Sequence, residues 1–164
     1  MTADASNAVR SVIAAELALL TRVVDVPTGP LGYGTDISCT DDLDARMDEV
    51  DPMSVEGLAE ALVRRLDCPR GQLPDDADYG EDVRGHLNRP MTDDEIRSLA
   101  GRIHNELMKD DRVESVAVVV TPSSTGSSLS IAIAVVPVDA RLGNFRLVVA
   151  VTDAGVLLEE MSRT

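Results

Sequence analysis

The residues best able to do chemistry in this chain are carboxylates, and a dense run of them lies in CPRGQLPDDADYGEDVRGHL, residues 68–87. Asp75, Asp76, Asp78, Glu81 and Asp82 share this stretch with Pro69, Pro74, Gly71 and Gly80, and Tyr79 is its one aromatic. As a calcium loop starting at Asp76, it would place Gly80 at the fifth position instead of the sixth. Leu87 would then stand where such a loop needs a bidentate glutamate. As a catalytic pair, the acids are adjacent on a polar segment with no apolar pocket to push one pKa above another. The third reading is a shaped connector whose prolines and glycines fix turns. Tyr79 offers it an apolar ring with a polar tip, which suits an interface. Neither a metal nor a cofactor is expected here.

The remaining candidates are few. His86 and His104 are the only imidazoles, and Cys39 and Cys68 the only thiols. His104 follows Ile103 in a helical pattern and reads as structural. A peptidoglycan hydrolase needs two carboxyls across a cleft, one of them in an apolar setting. Its sugar groove is also normally built on aromatics, and this chain has no Trp, one Phe and two Tyr. No enzymatic activity is expected. Arg112 is a different kind of candidate: it follows Asp110 and Asp111 between a helical and a strand-like segment. Its planar fork suits a bidentate contact with a partner's carboxylate or exposed carbonyls. On that reading Arg112→Ala leaves the monomer folded and blocks assembly.

Charge narrows the partners. Twenty-nine acids against fifteen bases give a net charge of −14, and Lys109 is the only lysine. So negative a chain repels phosphate backbones, and no run of arginines with interleaved aromatics offsets this, so no nucleic-acid partner is expected. No apolar run approaches a membrane span. The N-terminus lacks the basic region and cleavage site of a signal peptide. Two cysteines form neither a disulfide framework nor a metal pattern, which fits a reducing cytoplasm.

Periodicity supplies the elements that must position these residues. Residues 6–24 place Val9, Ile13, Leu17, Leu20 and Val24 on one helical face, and VPTGPLGYG, 26–34, breaks the pattern. Residues 1–30 therefore read as an accessory helix with its linker, and 31–164 as the main domain. Short extended segments are expected after Gly34. Ser54 opens a helix with Val55, Leu58, Leu62 and Leu66 on its apolar face, and a short helical turn is expected around Asp82 to Leu87. Thr92 and Glu95 form a capping box for a helix over about 93–109 that aligns Ile96, Leu99, Ile103 and Leu107. The period then changes to two, with strands at 113–121, 129–138, 145–152 and 156–161. Helices first and strands last predict an α+β fold, two helices on one face of a small antiparallel meander, with the extra N-terminal helix.

This order of features resembles the small baseplate subunit of contractile tails. That family includes the wedge or sheath-initiator protein of contractile-tailed phages, labelled lysozyme-like in some members, and counterparts in type VI secretion and extracellular contractile injection systems. The likeness covers about 34–152. It is carried by GTDI at Gly34–Ile37, by a helix ending in RRLDCPRG, by Asp78, Tyr79, Gly80 and Asp82, and by Met91 and Thr92. The family's Glu-Pro-Arg triplet before the first long strand is held here by Asp110, Asp111 and Arg112. The resemblance implies a structural subunit, six copies to a baseplate, assembled in the cytoplasm into a virion tail or injection particle. The implied partners are other wedge proteins, the sheath protein, and tube or spike and hub proteins. The implied contacts are Asp110, Asp111, Arg112, Arg70, Tyr79 and Gly80. The sheath is expected to start by strand addition along the last two strands, with Val149 and Val151 at that edge. A regulatory binding module of the anti-adaptor type, which shares a similar fold, is the alternative.

Overall fold

In the computed structural model, residues 36–38 and 49–163 are described, and they belong to one compact unit, Thr35–Thr164. The expected N-terminal helix and the expected boundary near residue 30 lie outside the described residues.

Two short strands, β1 (Asp36–Ile37) and β2 (Glu49–Val50), pair antiparallel ahead of the first helix, α1 (Val55–Asp67). The Ser54 hydroxyl caps α1 by accepting from Gly57 N–H at 2.9 Å, as the sequence predicts. The second helix, α2 (Asp93–Leu107), opens on the predicted capping box. Glu95 N–H donates to the Thr92 hydroxyl, and the Glu95 carboxylate accepts from Thr92 N–H at 2.7 Å. Between the helices the chain makes a single 3-10 turn, Arg84–His86.

Four strands follow as an antiparallel meander in sequence order: β3 (Val113–Pro122), β4 (Leu129–Pro137), β5 (Phe145–Thr152) and β6 (Gly155–Arg163). The fold is α+β, with α2 packed over β3 and α1 over β5 and β6. Alternation is clean on the inner strands. Ile131, Ile133, Leu147, Val149 and Val151 point to the helices and are fully buried, with Phe145 beside them. From the helices, Leu58, Leu62, Leu66, Leu99, Ile103 and Leu107 complete an almost wholly aliphatic core.

The opposite face is different. The high Val and Ile content of these strands predicts cover on both sides, yet no described element covers this face, and Val119 on it is 61% exposed. Among the described residues no helix is long and apolar enough to cross a membrane.

Candidate functional site

The acidic connector is fastened by a residue outside it. Glu106 lies on the apolar stripe of α2, beside Ile103 and Leu107, and only 1% of its surface is exposed. Its carboxylate accepts from Gly80 N–H at 2.8 Å, from Arg65 Nη1 at 3.2 Å and from Arg70 Nη2 at 3.1 Å. Lys109 Nζ lies 2.8 Å from it, one helical turn on. Burial opposes ionisation of Glu106, but the hydrogen bonds from Lys109 and Gly80, with Arg65, outweigh it and hold the carboxyl below its ordinary value.

Each part of the connector answers to this hub. Gly80 adopts φ +96°, and a side chain there would collide with the Cys68 carbonyl; only glycine lets its N–H reach Glu106. Glu81 N–H donates to the Arg65 carbonyl at 3.0 Å, and the Glu81 side chain, also buried, accepts from Arg102 Nε at 2.7 Å. Arg70, half-exposed, additionally bonds Asp78 at 2.8 Å, and Lys109 pairs with Asp78 at 2.9 Å. The Tyr79 ring sits beneath the Arg65 guanidinium, 4.5 Å from centroid to carbon, a cation–π contact. Burial raises the Tyr79 pKa although the charges of Arg65 and Arg64 pull the other way. Arg70, Tyr79 and Gly80 thus do meet, around a carboxylate of their own chain.

His86, in the 3-10 turn, has Nδ1 2.7 Å from Arg89 Nη2 and Nε2 2.8 Å from Arg102 Nη2. Burial, then the charges of Arg102 and Arg89, push its pKa down against the opposing pull of Glu81 and Asp82.

The triplet lies at the far end of α2. Asp110 is buried and Arg112 nearly so. The Arg112 fork grips Asp110 with Nε–Oδ1 at 2.8 Å and Nη2–Oδ2 at 2.7 Å, while Nη1 donates to the Pro52 carbonyl at 2.8 Å. Burial works against the Asp110 charge, and the Arg112 bonds overcome it, keeping its pKa low. The fork makes a bidentate carboxylate contact and a carbonyl contact, and both partners belong to the same chain. The expectation that Arg112→Ala leaves the monomer untouched is therefore revised, because that change would strand a buried carboxylate. Asp111 is exposed at the surface of the turn.

Val149 and Val151 require a correction. Both lie in β5, an inner strand paired on both sides, and both are fully buried beneath the helices. They cannot form an edge; among the described residues β3 and β6 are the edges of this sheet. His104 Nδ1 lies 3.1 Å from the Val116 carbonyl, so β3 already has one acceptor engaged by a side chain. β6 carries Leu157, Leu158 and Met161, which are 58%, 39% and 37% exposed.

Glu106, Arg65 and Lys109 were not singled out from sequence. A signal existed: an acid in register with Leu99 and Ile103 on a buried stripe must find partners, and the only lysine stands three residues on. Glu106, Asp78 and Asp110 have lowered pKa values and are held as anions by their basic partners, the reverse of what a general acid requires. Among the described residues no group of three or more His, Cys, Asp or Glu is placed to hold a metal ion. No family model matches the chain, and the search of curated proteins found no match.

Proposed function

We propose that this protein is a structural subunit of a contractile-tail or contractile-injection baseplate, joining wedge proteins and starting the sheath by β-strand addition. The observation that carries the reading is the meander itself. Its last strand, β6, is an edge among the described residues, with exposed apolar side chains, and α1 packs against it. An added strand would gain main-chain hydrogen bonds from this edge. A long exposed apolar edge is a hazard in a free protein, and an assembly partner removes the hazard. The order of motifs shared with the baseplate family supports the same conclusion, as does the connector, whose ion pairs give a rigid surface against which neighbouring wedge subunits can pack. Six copies, contact with tube or spike and hub proteins, and location in a tail or injection particle follow from that likeness. On this reading the chain is not an enzyme.

The test is immunogold electron microscopy on contractile particles from producing cells, with an antibody to this chain. Label at the baseplate is expected. Particles without label, or cells in which the chain never joins one, would sink the proposal.

A further inference from the structure

Two positions decide what kind of strand the β6 edge would take. Pairing with β5 places Leu158 opposite Val149 and Met161 opposite Leu147, so both face the helix side of the sheet. On that side α1 and β6 leave a cleft of ≈ 320 Å³ lined by Val63, Val156 and Leu158 together with Glu60, Arg64 and Asp67 of α1. The other face of the strand is unlike it. There Leu157 stands opposite Ala150 and Glu160 opposite Val148, and Glu159 occupies the bulge between the two registers. Both glutamates are exposed, and the strand's one cation, Arg163, lies at its far end.

Resting on the proposed edge role, we infer that β6 takes an extended partner segment of alternating character: apolar residues on the helix side, basic residues on the other. Side chains of an added strand alternate between faces. Those on the helix side would meet Leu158 and Met161 and the cleft's Val63 and Val156, where an apolar side chain would be buried. Those on the opposite side would lie directly across from Glu160 and beside Glu159, where opposite charges stabilise a cross-strand pair and like charges repel. The net charge of −14 acts in the same direction over longer range, favouring a cationic segment and slowing an acidic one. The bulge at Glu159 adds a register constraint, since it interrupts the ladder and leaves two short pairing stretches, one on each side of it.

The experiment uses the full chain and two synthetic nine-residue peptides, one alternating Val with Lys and one alternating Val with Glu, followed by amide NMR titration. The Val/Lys peptide is expected to shift the amides of Val156–Met161, to leave those of β3 unmoved, and to bind at least about tenfold more tightly than the Val/Glu peptide. The double variant Glu159→Lys, Glu160→Lys, altered only at exposed side chains, is expected to reverse the order. Binding by neither peptide, equal binding by both, shifts centred on β3, or an unchanged order in the double variant would each overturn the inference. The result is separable from the role in a particle. If β6 selects the basic peptide but the chain never joins a contractile particle, the edge chemistry stands and the baseplate reading fails.

Discussion

Asp110 keeps its charge while only 6% exposed because one guanidinium meets both of its oxygens. Removing one partner of such a pair is far more damaging than removing both, since the survivor is left buried and uncompensated. Arg65 Nε, 4.0 Å away, would offer partial relief, so Arg112→Ala should cost about 3 kcal/mol, at the lower end of the range for broken buried pairs. The double variant Asp110→Ala, Arg112→Ala should cost less than that single change. Urea unfolding of both variants checks this. If the single variant unfolds at the wild-type midpoint, the pair is not what keeps Asp110 buried. An assembly defect in Arg112→Ala would then have to be judged against this loss of stability before being assigned to a lost contact.

At the scale of elements, the connector between α1 and α2 behaves as a strap tied at both ends. Glu106 holds it at Gly80, and His86 sits at the other end between Arg89 and Arg102, each of which also binds an acid, Glu95 and Glu81 respectively. Protonating His86 would set a third positive charge between two guanidiniums. Its folded pKa lies below the ordinary 6.5, so the unfolded chain binds the proton more readily. Stability contributed by the neutral ring is therefore complete above about pH 6.5 and is lost as the pH falls from there toward the depressed folded value. His86→Gln should flatten the change in urea midpoint between pH 7 and pH 5. An equal pH slope in both proteins would remove His86 from the account.

Much of this element-scale organisation is legible in the sequence. The capping box at Thr92, the cap at Ser54 and the shift to period two after Arg112 each have a local physical cause, and each element forms where that cause lies. The strap is less legible, because its partners are distant in the chain. Glu106 is 26 residues from Gly80, and nothing local distinguishes a hub carboxylate from a solvated one except its place on an apolar stripe. Of the two strands expected at the edge, β6 lies there and β5, with Val149 and Val151, does not. Alternation identifies strands, but only pairing tells which is last, and β6, with two glutamates, looks less like a strand than β5 does.

Across the whole molecule, a strongly negative surface coexists with a sheet face that carries almost no charge. Ala117, Val119, Ala132, Ala134, Val136, Val148, Ala150 and Leu157 share that face by register, and its charged members are Arg146 and Glu160, with Glu159 in the adjoining bulge. Val119 and Leu157 are 61% and 58% exposed there. At pH 7 the net charge of −14 keeps copies apart. Near the isoelectric point, pH ≈ 4.4, that repulsion is gone while the apolar face remains, and exposed patches of this kind drive association. Light scattering should therefore rise as the pH is lowered toward 4.4. Val119→Lys, which puts a charge at the centre of β3 on this face, should suppress the rise. Leu158→Lys, on the helix side of β6, serves as the comparison because it adds the same charge away from the face and shifts the isoelectric point equally. If the two variants suppress association to the same degree, net charge alone governs it and the uncovered face plays no part. A clear advantage for Val119→Lys would locate the contact on the open side of the sheet, distinct from the edge along which a partner strand would add.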